Sequence, residues 1–398
     1  MYVLREEIMK KFLLICLFAF IGLLVILFIL KLVGVLPNQY ANAKNNLNFI
    51  GTGKGIYEYS DKFQNPDGSF YVVSTLNDWK IQNTRISIMK LSPDIKMLWE
   101  KLIPVPYEGP KDAVISYFIK NVTVWNDHIY LLATEKTRKE IHLVVIQLSL
   151  DGQLLKTTPI QSEIESEFQY KTFCSGQFAY VAYIDHAAGQ ICLQKIDMQK
   201  ALSVSTAKTP FHQKALKIKS IIVDPDHSSG CLTIYDPSTS ISSWYRFIDN
   251  NLKETVQTKP GTEIIALKHN GNKLYGIIRE DSLLEVADLT DAGKPIILVT
   301  DKIDFNMYRP QGLAVVNGGY AVCFNYYLYK GKKRNEHVVI RKYTTGFSKF
   351  TIQNLQSREF DNARSITVTP DGSLLAFGNS VGGGMLNMGR IFANKFKM

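Results

Sequence analysis

What limits the folds open to this chain is a unit that recurs along it: a tight turn, an apolar strand, a polar loop and a second alternating strand. The unit is clearest in Asn65-Pro-Asp-Gly-Ser-Phe-Tyr-Val-Val-Ser, followed by Arg85-Ile-Ser-Ile-Met-Lys-Leu-Ser-Pro-Asp and Met97-Leu-Trp-Glu-Lys-Leu. The next copy runs from Trp125-Asn-Asp-His-Ile-Tyr-Leu-Leu-Ala to His142-Leu-Val-Val-Ile-Gln-Leu-Ser-Leu-Asp-Gly-Gln-Leu. Period-two alternation bounded by Asp-Gly or Asn-Asp turns predicts antiparallel hairpins, not helices.

More worn copies begin near Gly176, Ser229, Gly271, Gly318 and Asp371. With Gly68, Asp127, Gly176, Gly230, Gly271, Gly318 and Gly372 as markers, the spacings are 59, 49, 54, 41, 47 and 54. A four-stranded propeller blade takes about 40–50 residues. The expected fold is therefore all-β, a seven-bladed β-propeller preceded by one transmembrane helix; six blades with a capping hairpin, or eight, also fit the spacing. Two packed sandwiches are the competing architecture. A ring of four-stranded sheets buries both faces of each and leaves only short edges. The last blade has room for Ser365–Thr369, Ser373–Asn379 and Arg390–Lys397, so it lacks an outer strand. A segment around Asn46–Gly51 is expected to supply it and join the two ends of the ring.

From Phe12 to Leu30 nineteen residues run without a charge, Pro, Asn or Gln, and sixteen of them are Leu, Ile, Phe or Val. That length crosses a hydrocarbon core of about 30 Å, and insertion is favoured by roughly 5–10 kcal/mol at most. Arg5, Lys10 and Lys11 precede the run and Lys31 follows it. The bias places residues 1–11 in the cytoplasm, 12–34 in the membrane as a signal anchor, 35–45 as a linker and 46–398 outside, periplasmic or extracellular. The competing reading is a secretory signal cleaved near Ala43, after the small-x-small motif Ala41-Asn42-Ala43, although the apolar run exceeds a usual signal core of 7–15 residues.

Beyond residue 43 about 355 residues remain, and with 46% apolar and 11% aromatic residues overall they can build a core. The net charge of +10 is scattered, with one compact basic run at Lys330–Arg334. A nucleic-acid binder concentrates its charge among stacking aromatics, so no nucleic acid is expected; the excess suits an anionic surface or partner. Cys174, Cys192, Cys231 and Cys323 are far apart and form no CxxC, which argues against a disulfide framework or a zinc site. A Cys174–Cys192 bridge stays open.

The pattern Asp-Gly-Ser with an apolar run, then Ile-x-Ile-x-Lys-Leu-Ser-Pro-Asp and Leu-Trp-Glu-Lys, resembles the short propeller repeats of bacterial envelope proteins, a broad group that includes quinoprotein-like repeats. Tyr308-Arg-Pro-Gln-Gly-Leu-Ala-Val is similar to NHL-type blades. The resemblance touches parts of 60–398 and implies the fold, not the activity. A quinone cofactor would want several Trp-bearing blades; Trp79, Trp99, Trp125 and Trp244 are the only tryptophans, and no cofactor is expected.

Other motifs read as structure. Asp224-Pro-Asp-His-Ser-Ser-Gly has its Gly one residue late for a calcium loop and Tyr235 where the Glu belongs. Gly51-Thr-Gly-Lys-Gly lacks the phosphate-loop spacing, and His128, His186 and His227 have no partner at metal-ligand spacing, so no metal is expected. Asn121-Val-Thr is a glycosylation sequon placed on an expected strand. One constellation remains. Residues just before the first strand of each blade rim the channel mouth, and Lys120, Lys219 and Arg364 align there, with Arg309 nearby and Glu263 as the exception. Converging cations suit a carboxylate, phosphate or anionic polysaccharide.

The function expected is a binding or scaffolding module whose partners are the membrane, through the N-terminal helix, and an envelope protein, glycan or other anionic ligand. The alternative is a propeller enzyme, a hydrolase or lyase on glycans or a quinoprotein-like oxidoreductase. It would need carboxylates from separate blades, for example Asp185, Asp236 and Asp304, to converge.

Overall fold

The computed structural model describes residues 47–51, 56–78, 83–103, 116–136, 141–160, 170–211, 216–224, 229–248, 251–291, 295–330, 333–344, 350–355, 360–381 and 389–396. The expected helix at 12–34, its flanks 1–11 and 35–45, and the cleavage motif at Ala43 lie outside the described residues. Among the described residues no helix is long and apolar enough to cross a membrane.

Asn46–Met398 forms one compact unit built of strands. After β1 (Phe49–Ile50) come β2 (Ile56–Gln64), β3 (Phe70–Asp78), β4 (Asn83–Leu91) and β5 (Met97–Ile103), paired in that order. The next sheet holds β6 (Ser116–Trp125), β7 (His128–Lys136), β8 (Ile141–Ser149) and β9 (Leu154–Ile160). It is followed by β10 (Tyr170–Ser175), β11 (Phe178–Asp185), β12 (Gln190–Asp197) and β13 (Leu202–Pro210). Then β14 (Lys217–Val223), β15 (Ser229–Asp236), β16 (Ile241–Ile248) and β17 (Asn251–Gln257) precede β18 (Thr262–Asn270), β19 (Lys273–Glu280), β20 (Leu283–Asp288) and β21 (Ile296–Lys302). These two quartets count as one sheet through a single parallel bridge, Ile241 to Thr262. Next are β22 (Tyr308–Val316), β23 (Gly319–Lys330), β24 (Lys333–Thr344) and β25 (Phe350–Leu355). The last sheet is β26 (Phe360–Val368), β27 (Leu374–Val381), β28 (Gly389–Phe396) and, as its outer strand, β1.

β1 thus fills the place left by the missing C-terminal strand. Phe49 pairs with Phe392 and Ile50 with Ile391, and the Ala393 N–H donates to the Asn48 carbonyl at 2.9 Å. Each sheet alone leaves two apolar faces exposed to water, and the clusters between sheets show where those faces go. One cluster joins Tyr71, Ile86 and Ile88 of the first sheet to Tyr117, Ile129 and Val144 of the second. The succession continues around the molecule, and a final cluster packs Phe377 and Ile391 of the last sheet against Phe70 and Met89 of the first. The array therefore closes on itself. Trp99 lies half-buried against the first cluster, 6.0 Å from the Tyr71 ring.

The turns obey their residues. Gly68 and Gly372 follow Asp at φ of 82° and 78°, and Asn126-Asp127 adopts 46° and 58°, the mirror-image turn that matches strand twist. Cys174, Cys192, Cys231 and Cys323 are free thiols, so the Cys174–Cys192 bridge is not formed.

Six first strands carry a β-bulge at the same rung of the ladder to the second strand. The extra residues are Ser60, Lys120, Lys219, Ile265, Gln311 and Arg364. A bulge frees backbone N–H groups from the ladder, and side chains of the preceding sheet take up several of them or their close neighbours. Asn379 Oδ1 accepts from Tyr59 N (3.2 Å), Asp61 Oδ2 from Val122 N (3.0 Å), Ser242 Oγ from Ile264 N (3.2 Å) and Asn325 Oδ1 from Ala363 N (2.7 Å). The bulges are thus also the polar ties between neighbouring sheets.

Candidate functional site

The first strands run parallel to one another around the centre, so their starts share one end of the molecule, the mouth face. The turns between first and second strands, and between third and fourth, lie at the opposite end, the hairpin face. Three of the bulge residues are the cations Lys120, Lys219 and Arg364; they lie within β6, β14 and β26 and not, as the sequence alignment placed them, just before these strands, because the bulge sits several residues into each strand. The extra residue of a bulge is the one re-aimed out of the pleat.

Lys171 shows where these side chains go. Burial among protein atoms lowers its amine below the ordinary lysine range, and the positive charges of Lys219, Lys120 and Arg364 lower it further. The residue as a whole is exposed, so the lowering rests on the neighbouring protein atoms and charges and not on full enclosure. Arg364 belongs to the last sheet and Lys171 to the third, which are not neighbours; only the central channel brings them within electrostatic reach. Lys171 was not read from the sequence because its strand shows no bulge among the described residues. It pairs with Ala182 on the rung where Asn121 pairs with Leu132, so counting residues back from the turn misses it.

The other members differ in their surroundings. Lys219 is ion-paired with Glu263, whose other oxygen is 3.8 Å from Arg279, so the expected exception offsets one of the cations. Lys120 lies over the Tyr170 and Phe118 rings, at 5.3 and 5.7 Å. Arg309 is exposed and lies 4.8 Å over the Tyr327 ring, two residues before the bulge position rather than at it. Lys120, Lys219 and Arg364 are the charges that act on Lys171, and Arg309 is not among them.

Further along the channel the positive character continues. Burial, then the charge of Lys268, pushes the Lys62 amine down to about 8, while Asp61 acts in the opposite sense. The Lys62 amine lies 5.5 Å over the Phe377 ring. Lys268 is also held below its usual range by burial. Burial raises the Asp61 carboxyl, although Lys62 and the bonds from Asn121 and Val122 favour its charged form.

The remaining sequence candidates serve local structure. Asp224 accepts from Ser229 and from Arg246 at 2.9 Å, and its other oxygen lies 2.9 Å from His269 Nε2, so its oxygens are engaged within the fold. Because the aspartate stands between the serine and the histidine, the trio lacks the serine-to-histidine contact that nucleophilic catalysis needs. Asp185, Asp236 and Asp304 accept from the N–H of Ala188, Ser238 and Asn306, each within its own turn in a different sheet. Asn121 of the sequon is part of β6 and donates to Asp61 at 3.1 Å. Among the described residues no group of His, Cys, Asp or Glu is placed to hold a metal ion.

Four-stranded sheets that succeed one another around a channel lined by their first strands define a β-propeller. Solved structures share this fold. Hydrazine synthase of Kuenenia stuttgartiensis aligns with a TM-score of 0.50 at 13% identity, over 90% of this chain and 99% of that one. The β-propeller domain of the Trilobed protease from Pyrococcus furiosus aligns with a TM-score of 0.50 at 8% identity, over 86% and 98%. The acylaminoacyl peptidase of Pyrococcus horikoshii also gives 0.50, at 8% identity, with 87% of this chain matched to 53% of that protein. At these identities the likeness is one of fold alone. No family model matches the sequence, and no curated protein does.

Proposed function

We propose that this protein is a seven-bladed propeller acting as a binding module for an anionic ligand, a carboxylate, phosphate or acidic glycan, received at the mouth face of its channel. Residues 12–34 anchor it in the cell membrane, with the propeller on the extracytoplasmic side. The observation that carries the binding role is the convergence of Lys120, Lys219 and Arg364 on Lys171 across the channel. Cations held close together repel one another, and an anion between them relieves that repulsion while gaining charge-assisted hydrogen bonds. An enzymatic role has less support, because Asp185, Asp236 and Asp304 are each engaged at their own turns.

The test is calorimetric titration of the full-length, detergent-extracted protein with inorganic phosphate, a tricarboxylate and an oligomeric uronate. At least one should bind, more weakly as salt is added. Replacing both Lys171 and Arg364 by Ala removes two charge-assisted contacts and should weaken it by about a hundredfold. Equal affinity in the natural and doubly substituted proteins would sink the channel site.

A further inference from the structure

The large hydrophobic side chains left exposed are not spread over the surface. Leu98, Leu155, Leu202 and Ile296, each the first or second residue of its sheet's outer strand, are 52% to 61% exposed. Leu150 and Trp125 sit in or beside turns of the hairpin face, and Ile248 ends β16 at that face. Every exposed large hydrophobic among the described residues falls at this end, opposite the cation-lined mouth. They stand at or near the starts of the outer strands of the first, second, third and fifth sheets, within a few residues of one another along the strand direction, so the side chains cluster toward one end of the propeller axis. They are separate apolar tips around the rim of that face.

The chain comes into the propeller at the same face. β1 is antiparallel to β28, so its start, preceded by Leu47 and Asn48, lies beside the end of β28 at the hairpin face. We infer that this rim rests on a lipid bilayer, with the apolar tips dipping into its interfacial layer and the channel mouth turned away from it. The inference rests on the reading of residues 12–34 as a membrane anchor. The linker 35–45 then reaches at most about 40 Å when fully extended, which keeps the face it leads to close to the membrane. Tips spaced around a rim suit a fluid plane, whereas a protein partner would call for one contiguous patch. Lys96, Lys101, Lys156 and Lys200 are exposed beside them and can lay their stems along the same surface. Asp94 and Asp151 are exposed among them, so the contact is apolar in character and does not depend on acidic headgroups.

The test places a fluorophore at Leu98→Cys, Leu202→Cys or Ile296→Cys in the full-length chain, with Ala187→Cys on the mouth face as control and the unsubstituted protein as background for the native thiols. Each protein is reconstituted in neutral phosphatidylcholine vesicles whose acyl chains carry bromine, a short-range quencher. Quenching at the three rim positions should exceed that at Ala187 at least twofold and persist when the vesicles are diluted to one protein each. A chain that floats with the vesicles but is quenched no more at the rim than at Ala187 overturns the rim contact and leaves the anchor standing. Rim shielding that appears only at high protein density overturns it in favour of a second copy. A chain that does not float with the vesicles removes anchor and rim together.

Discussion

A chain begun at Gly51 is expected to be less stable than one begun at Asn45 by roughly 3–6 kcal/mol, the value of burying two aliphatic side chains. The two are Leu47 and Ile50, 8% and 7% exposed, which belong to the clusters on either side of the last sheet. The same truncation strips β28 of its outer partner and removes the bonds of Asn48 to Ala393 and Asn394. A ring held shut by one short strand should also unfold less cooperatively once that strand is gone, because the first and last sheets can then part. Urea unfolding of the two chains measures this. Equal midpoints and slopes would mean that the ring is closed by its side-chain packing alone.

The second large effect is expected at Lys62, where a single substitution should stabilise the protein. The folded-state value of this amine, about 8, lies below the ordinary value of 10.5. Below pH 8 the amine is charged in both states and the folded protein carries the full cost of burying it. Between pH 8 and 10.5 the unfolded chain keeps a proton that the folded one has released, so stability rises with pH. Above 10.5 both are neutral and the cost is gone. The difference is worth about 3 kcal/mol. Lys62→Met keeps the stem against Phe377 and removes the charge, and should raise stability at pH 7 by about 2 kcal/mol once the lost attraction to Asp61 is set against the gain. It should also abolish this part of the rise between pH 8 and 10.5. Denaturant titrations at pH 7 and pH 10 of both proteins measure it; a variant that is less stable at pH 7 with an unchanged pH slope would show that Lys62 is stabilising where it stands.

Much of the fold is legible because hairpins write themselves locally. The alternation in Ile129–Ala133 and the turns at Gly68, Asn126-Asp127 and Gly372 need only neighbouring residues to be understood. The outer strand near Asn46–Gly51 followed from counting strands in the last blade, since a sheet edge left bare there would be a liability. The apolar run from Phe12 to Leu30 is equally plain in the sequence, and its reading as an anchor falls outside the described residues. Of the proposed site, the shared bulge position of Lys120, Lys219 and Arg364 is legible, because they line up when the blades do. Lys171 was hidden because β10 is short and keeps its register where the other first strands bulge. Lys62 and Lys268 were hidden for another reason, since burial in the channel depends on which strands meet across it, and no local pattern records that. Nor does the sequence mark Leu98, Leu202 and Ile296 as exposed, because a strand start on an outer edge reads like any other apolar pair.

The most direct measurement of anion binding in the channel is differential acylation of lysines in the full-length protein, read by mass spectrometry with and without the anion that binds in calorimetry. Lys171, whose amine is lowered and exposed, is expected to be modified in the free protein and protected severalfold by the anion, together with Lys120, while Lys96 and Lys156 on the hairpin face react equally in both. Protection spread evenly over all lysines, or confined to the hairpin face, would contradict a ligand in the channel.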